Sequence, residues 1–162
     1  MINKKLKEEL NNKVEVKVKK LSEDAVMPKY AHDTDAGMDL TAVNYTYDPE
    51  YDCHIYGTGL ALEIPEGYVG LVFPRSSNRK TEAYMCNHVG VIDSGYRGEI
   101  MVSFKNRDTI KPAQIPFLIK PYELKDRVGQ IIIIPYPKVE LSFSEDLSIT
   151  DRGEQGHGST GK

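Results

Sequence analysis

Residues 98–105, with the sequence GEIMVSFK, show the pattern that decides the fold class of this chain. Apolar residues at positions 100, 102 and 104 alternate with other residues, as they do on the buried face of a half-exposed strand. The segment VEVKV, residues 14–18, repeats this alternation with charged residues between its valines. Both segments are therefore predicted to be β-strands with one face on a core.

Further strand candidates follow at short intervals along the chain. The four isoleucines at 131–134 form an uninterrupted apolar run, which predicts a strand buried on both faces. Shorter candidates are residues 60–64, 68–73, 115–119 and 139–143. Thirteen glycines and nine prolines interrupt the sequence and leave little room for helices. The sequence predicts an all-β fold, a sandwich or barrel with many short strands.

The two ends of the chain differ from its middle. Residues 1–12 are rich in charge and are predicted to form an N-terminal extension, either helical or frayed, before a domain at 13–150. Residues 151–162, DRGEQGHGSTGK, contain four glycines and no aliphatic residue. Such a segment cannot build a core. It is either a disordered tail or a mobile, glycine-rich C-terminal lid that a ligand orders.

The composition excludes several classes of protein. The chain has 162 residues, which fits one domain, and a formal net charge of −3, whereas proteins that wrap nucleic acid normally carry a basic excess. No apolar run approaches the roughly 18 residues that a membrane-spanning helix needs, and no secretory signal is apparent. Two cysteines form neither a disulfide framework nor a zinc cluster. We expect a cytoplasmic protein with no membrane contact and no stable nucleic acid binding.

Several segments carry polar residues that suit chemistry. The arginine and hydroxyls of PRSS, residues 74–77, either bind phosphate oxygens or form an ordinary polar turn. Asp93 either forms a turn or holds a water as general base. Gln130 opens an apolar strand and needs a hydrogen-bonding partner. The acids within residues 31–40 form either a solvated loop or a metal site, and the glycine-rich tail could bind an anion.

Five segments in this order resemble the five motifs of the trimeric dUTPase family. They read DAGMDL (35–40), PRSS (74–77), NHVGVIDSGYRGE (87–99), RVGQ (127–130) and RGEQGHGSTG (152–161). The resemblance implies a jelly-roll-like β-barrel that assembles as a homotrimer with shared active sites. It implies an enzyme, a dUTP diphosphatase, that hydrolyses dUTP to dUMP and pyrophosphate with Mg²⁺. Such an activity limits uracil incorporation into DNA and supplies dUMP for dTMP synthesis.

The resemblance also assigns roles to single residues. Asp93 matches the aspartate that holds the attacking water, and Tyr96 matches the tyrosine that lies under the deoxyribose. The residues that match the uracil site are Asn87, Gly90, Val91, Ile92 and Met101. The residues that match phosphate contacts are Arg75, Ser76, Ser77 and Gln130. The residues that match the closing tail are Arg152, His157, Gly158, Ser159 and Thr160. Asp39 matches an aspartate that supports the metal-bound phosphates from the second shell, while Mg²⁺ itself is held mainly by the triphosphate.

One departure at the closing tail and two alternative functions accompany this resemblance. His157 stands where the family usually has a phenylalanine that stacks on uracil. The related dCTP deaminases carry a catalytic glutamate ten residues after the matching aspartate, but this chain has Ser103 there. A regulatory protein partner is an alternative role, because some phage dUTPases engage repressors. Residues 1–12 are the obvious candidate appendage for such a partner.

Overall fold

The computed structural model describes residues 13–107 and 120–156, in which nine strands and one short 3-10 helix form the regular structure. The strands are β1 (Lys17–Lys20), β2 (Met38–Thr41), β3 (Asn44–Asp48), β4 (Cys53–Glu63), β5 (Tyr68–Phe73), β6 (Ala83–Met85), β7 (Gly90–Ile92), β8 (Glu99–Asn106) and β9 (Arg127–Pro135). The 3-10 helix is Ser76–Lys80. No helix within the described ranges is long and apolar enough to cross a membrane.

The strands form two antiparallel sheets with the core between them. One sheet has the order β1-β4-β8-β6, with β3 also paired to β4, and the other has the order β2-β9-β5-β7. The core takes residues from both sheets: Leu40, Val72, Val128 and Ile131 from the second, and Tyr56, Leu62, Ile100, Val102 and Phe104 from the first. The all-β, jelly-roll-like prediction is confirmed.

The alternation along β8 divides this strand between core and surface. Ile100, Val102 and Phe104 are buried, as their spacing predicts. Met101, between the first two, is half exposed. One strand therefore contributes both to the packing of the core and to the outer face of its sheet.

Two strand predictions are wrong in their detail. The isoleucine run lies in β9, a strand between two others, and only Ile131 is buried, whereas Ile134 is 38% exposed. One face of β9 packs on the core and the other looks outward, so the run is not buried on both faces. The segment 139–143 forms no strand, because its alternating apolar residues are exposed and have no neighbouring strand to pair with.

Other predictions shift or fall outside the described residues. The first strand starts at Lys17 rather than at 14, although Val16 and Val18 pack against the core as expected. The predicted strands at 60–64, 68–73 and 100–104 lie in β4, β5 and β8. The candidate at 115–119 and the extension 1–12 lie outside the described residues, so both stay predictions.

His54 is a buried polar residue between β3 and β8. Its Nδ1 lies 3.0 Å from the hydroxyl of Tyr45, and its Nε2 lies 3.2 Å from the amide nitrogen of Asn106. An amide nitrogen only donates, so Nε2 accepts and Nδ1 carries the single proton of a neutral ring. Burial lowers the pKa of His54, and the charge of Lys120 lowers it further, whereas Asp52 acts in the opposite direction.

We expect the free energy of unfolding to fall as the pH drops below about 6.5 because of His54. The unfolded chain binds a proton there that the folded chain does not bind. Each pH unit below that point then costs up to about 1.4 kcal/mol until the lowered folded pKa is reached. Urea midpoints at pH 7.5 and 5.5 measure this. His54→Gln should lose part of the pH dependence and His32→Gln, on an exposed loop, should keep it; equal slopes in all three proteins would contradict the assignment.

Candidate active site

The turn after β7 presents two of the predicted functional residues to solvent. Asp93 follows Ile92 directly, and the turn closes through a hydrogen bond from the Tyr96 N–H to the Asp93 carbonyl at 3.0 Å. The guanidinium of Arg97 donates to the carbonyls of Ser94 (2.6 Å) and Tyr96 (2.9 Å). The turn is therefore held from within, while both Asp93 and Tyr96 remain exposed.

A cavity of about 280 Å³, the Asp93 cavity, opens beside this turn. Its lining residues are Val91, Ile92, Asp93, Tyr96, Glu99, Met101 and Ser103. Five of them are sequence-predicted site residues, so the structure brings this part of the predicted site together. Glu99 and Ser103 were not predicted as site residues. Their signal is the period of two along β8, which places them on the same face as Met101.

The remaining residues of the predicted base site, Asn87 and Gly90, lie in the loop that connects β6 in one sheet to β7 in the other and at the start of β7. The backbone N–H of Cys86 donates to the Ser103 carbonyl at 2.8 Å, which ties this loop to β8. A Cβ on Gly90 would lie 3.3 Å from the Asn87 amide nitrogen and 3.3 Å from Val72. Asn87 therefore lies against the Gly90 backbone and does not line the Asp93 cavity.

A second cavity, the Arg75 cavity, has a volume of about 350 Å³. It lies where β2, β9 and the segment after β5 meet, and its lining includes Gly37, Asp39, Arg75, Ser76 and Gln130. Asp39 and Gln130 are register partners on β2 and β9, which explains their meeting. The side-chain amide of Gln130 donates to the Pro74 carbonyl at 3.1 Å and so has the partner that the sequence required.

Two arginines converge on one carboxylate at the Arg75 cavity. The Arg75 Nε donates to Asp39 Oδ1 at 2.7 Å, and the Arg127 Nη1 donates to Asp39 Oδ2 at 2.9 Å. A second nitrogen of Arg75 donates to the Ser77 hydroxyl at 3.2 Å. The carboxylate of Asp35 also lines the cavity, so the two guanidinium charges and the two carboxylates balance, and an anion would be bound here by directed N–H and O–H donors rather than by a net positive charge. Arg127 opens the quoted RVGQ segment but was not predicted as a site residue.

The two cavities share no lining residue and lie apart on one sheet. β2 and β7 are the opposite edges of the sheet β2-β9-β5-β7, which separates them by about 14 Å. Ile92 pairs with Gly70, so Asp93 lies beside Val69, whereas Gln130 pairs with Phe73. Four residues along a strand add about another 14 Å. The predicted site residues therefore form two separate groups within one chain.

The C-terminal segment contacts neither cavity. Residues 136–156 are exposed throughout and contain no strand. Arg152 is exposed, and its Nε donates to the Gln155 carbonyl at 3.1 Å. The other predicted tail residues, His157, Gly158, Ser159 and Thr160, lie outside the described residues.

The described residues contain no group of three or more His, Cys, Asp or Glu that could hold a metal ion. In the acidic loop, Asp35 accepts a hydrogen bond from the His32 N–H at 2.9 Å, a turn contact. The structure thus favours a solvated turn over a direct metal site at residues 31–40.

The two cysteines lie together without a bond between them. Cys53 and Cys86 are free, with their sulfurs 3.2 Å apart. Burial and the neighbouring Cys53 together raise the pKa of Cys86 to about 12. At neutral pH the Cys86 group is therefore a thiol and a poor nucleophile.

The chain is similar to known proteins over most of its length. The model of the dUTPase family matches residues 23–161. A deoxyuridine 5'-triphosphate nucleotidohydrolase of Corynebacterium glutamicum is 40% identical over 148 residues, which cover 91% of this chain and 95% of that protein. One from Alcanivorax borkumensis is 39% identical over 148 residues, which cover 88% and 93%.

Solved structures of phage dUTPases have the same fold. A dUTPase of Staphylococcus bacteriophage 80alpha with dUpNHpp matches with a TM-score of 0.72 and 30% identity, covering 91% of this chain and 99% of that one. A dUTPase mutant from phage phi11 of S. aureus, described with a structural Mg(II) ion, matches with a TM-score of 0.64 and 29% identity, covering 82% and 97%. Since the family model spans most of the chain and the relatives reach 40% identity over nearly its whole length, the chain belongs to the dUTPase family.

Proposed function

We propose that this chain hydrolyses dUTP to dUMP and pyrophosphate, at sites where the Asp93 cavity of one copy meets the Arg75 cavity of another. The observation that carries the proposal is the presence of both groups on one chain, about 14 Å apart or more, with complementary chemistry. One group offers a carboxylate, an aromatic ring and a strand edge. The other offers guanidinium, hydroxyl and amide donors. A nucleoside triphosphate needs both.

The edge of β7 suits the recognition of uracil. β7 is an outer strand of its sheet, so one side of its backbone is not paired within the described sheet. Unpaired N–H and C=O groups at Gly90–Ile92 would meet the donor at N3 and the acceptor at O4 of uracil, and the Asn87 amide adds a further pair. Cytosine presents the opposite pattern at these positions and would leave the strand's groups unsatisfied.

Tyr96 suits the recognition of deoxyribose. Its ring is 40% exposed and lines the same cavity as Asp93. A flat ring beneath the sugar leaves no room for a 2′-hydroxyl, and that hydroxyl would lose its water partners without gaining a new one.

The Arg75 cavity supplies the electrostatics of phosphate binding. Arg75, the hydroxyls of Ser76 and Ser77, and Gln130 offer donors to the phosphate oxygens. The donor set fits a Mg²⁺ ion that takes most of its ligands from the triphosphate and water, because Asp39 is already engaged with two arginines. Bound in this way, Mg²⁺ would neutralise charge on the phosphates. Asp39 would then contact neither the metal nor the phosphates and would act by orienting Arg75 and Arg127.

Asp93 performs the chemical step in this proposal. Its carboxylate accepts a hydrogen bond from a water, aims the water oxygen at the α-phosphorus, and takes the proton as the new P–O bond forms. The bond to the β-phosphate oxygen breaks, and pyrophosphate leaves. A carboxylate is a weak base, so its orientation of the water contributes more than its basicity.

We further propose that the chain forms a homotrimer. The C-terminal segment supports this, since Leu141, Phe143, Leu147 and Ile149 are at least 87% exposed. Such a row of apolar side chains is typical of a segment that is buried on a partner. In a trimer the segment would carry residues 151–162 to a neighbour's site and close it as a lid. Arg152 and the predicted residues beyond it would reach the outer phosphates and the base.

The proposed reaction defines a role in the cell. Removing dUTP limits uracil incorporation into DNA, and the dUMP produced is the precursor for dTMP synthesis. The free thiols of Cys53 and Cys86 agree with the reducing cytoplasm as the place of action. Ser103 lines the Asp93 cavity at the position where the related deaminases carry their catalytic glutamate. The carboxylate of Glu99 also lines this cavity, but it accepts hydrogen bonds from Gly59 and Asn44, so the deaminase alternative finds no support.

Pyrophosphate release from dUTP, dCTP, dTTP and UTP with Mg²⁺ tests the proposed function, and Asp93→Asn tests the mechanism. We expect the unmodified chain to prefer dUTP strongly. The asparagine keeps the shape of the side chain and loses its charge. The activation free energy should therefore rise by several kcal/mol, which lowers kcat, while the Kd for dUTP should change little. Near-normal turnover by Asp93→Asn would show that another group holds the water.

Asp39→Ala tests the orientation of the arginines. Without the carboxylate, Arg75 and Arg127 lose their fixed positions. Their side chains then become ordered only when the substrate binds, which costs about 0.5–1.5 kcal/mol of binding free energy per side chain. We expect kcat/KM for dUTP to fall by about tenfold, with partial recovery in Asp39→Asn, which keeps one acceptor oxygen. Asp33→Ala, in the exposed loop that precedes β2, makes the same change in charge and is the control. Equal activities of the two alanine variants would contradict this role.

A further inference from the structure

Two residues set the position of the Tyr96 ring. They are Gly98, which directly precedes β8, and Glu99, the first residue of β8. The Tyr96 hydroxyl donates to the backbone carbonyl of Glu99 at 3.1 Å. The ring lies directly over Gly98, where a Cβ would overlap the phenol oxygen and the ring carbon that bears it. The ring therefore lies as close to the backbone as a glycine allows, and its tip is fixed by one hydrogen bond.

The carboxylate of Glu99 fixes its own backbone against β4. Its Oε1 accepts from the Gly59 N–H at 2.7 Å and from the Asn44 amide at 3.0 Å. The same Asn44 amide accepts from the Gly57 N–H at 3.1 Å. Three elements, β3, β4 and β8, are thus joined at one carboxylate oxygen.

This junction lies at an irregularity in the sheet. Gly57 pairs with Met101 and Ala61 pairs with Glu99, so the three residues of β4 at 58–60 lie opposite the single residue Ile100 of β8. Extra residues in one strand leave backbone groups without a partner in the ladder. The Glu99 carboxylate accepts a hydrogen bond from one such group, the Gly59 N–H. This contact holds the first residue of β8 against β4.

We propose that Glu99 is a positioning residue for sugar discrimination, acting on the Tyr96 ring through its own backbone carbonyl. The inference rests on the proposed contact of Tyr96 with deoxyribose and adds the residues that set the position of the ring. When the carboxylate contacts are lost, the start of β8 and the acceptor for the Tyr96 hydroxyl move. The ring then leaves room for a 2′-hydroxyl, and UTP becomes a better substrate relative to dUTP.

Both partners of the carboxylate are neutral N–H groups, so the acceptor oxygen and not the charge is required. Glutamine keeps an oxygen at the same reach, whereas alanine removes it. Glu99→Gln should therefore retain the discrimination that Glu99→Ala loses. Gly98→Ala provides an independent route to the same effect, because its methyl group displaces the ring and leaves the carboxylate contacts in place.

The test is the ratio of kcat/KM for dUTP to kcat/KM for UTP in each variant. We expect Glu99→Ala and Gly98→Ala to lower this ratio by at least about tenfold, or about 1.4 kcal/mol. Glu99→Gln should stay within about twofold of the unmodified chain. Glu63→Ala is the control, since Glu63 is on β4 and makes only a surface ion pair with Lys17 at 3.2 Å.

Tyr96→Ala separates this inference from the proposed function. If Tyr96→Ala lowers the ratio and a folded Glu99→Ala does not, the positioning role of Glu99 is wrong, whatever Gly98→Ala does, and the function stands. If the unmodified chain releases no pyrophosphate from dUTP, or Tyr96→Ala leaves the ratio unchanged, the proposed sugar contact fails and this inference with it. Should Glu99→Ala not fold, Gly98→Ala and Tyr96→Phe, which lacks the hydroxyl that binds Glu99, decide the same question.

Discussion

The strand order β2-β9-β5-β7 is the constraint on which this account depends. It places Asp39 and Asp93 at opposite edges of one sheet, and no rotation of a side chain spans the distance between them. Under the proposed function, a triphosphate needs both the arginines near Asp39 and a water held by Asp93, so it would have to bind between copies. Catalysis would then require assembly, because a single chain would hold halves of two different sites.

The strand β8 shows how stability and chemistry are combined in this fold. Its inward residues, Ile100, Val102 and Phe104, are part of the core and resist change. Its outward residues, Glu99, Met101 and Ser103, line the Asp93 cavity. Because the inward residues pack densely, the outward ones stand on a rigid support. Glu99 links the two roles. Its carboxylate binds Gly59 and Asn44 within the sheet, and its backbone carbonyl accepts a hydrogen bond from the Tyr96 hydroxyl.

Much of this arrangement follows from local sequence, and the failures have a common physical cause. The alternation at 100–104 predicts the buried face of β8 correctly, and the quoted segments contain most residues of both cavities. The same period of two at 139–143 predicts a strand that does not form. The pattern shows that these apolar side chains need a surface to pack on, but it does not show which part of the structure provides that surface. The prediction for the isoleucine run fails similarly, since no element among the described residues buries the outward face of β9.

The missed residues, Glu99 and Arg127, belong to a second kind of failure. Glu99 matters through a hydrogen bond to Gly59, forty residues away, at a sheet irregularity that no local pattern reveals. Arg127 matters through Asp39, on a strand 88 residues earlier in the chain. Contacts of this range depend on the register of the strands, which the hydrophobic pattern alone does not determine.

The most direct test of shared sites is complementation between two inactive variants, Asp93→Asn and Arg75→Ala. Each alone should have little activity. Co-expressed in equal amounts, they form mixed assemblies in which an intact Asp93 of one copy faces an intact Arg75 of the other. If each site draws these two residues from different copies, roughly one quarter of the sites are restored, and pyrophosphate release from dUTP should recover accordingly. Activity that stays at the level of the separate variants, despite mixed assemblies seen by native mass spectrometry, would contradict the account.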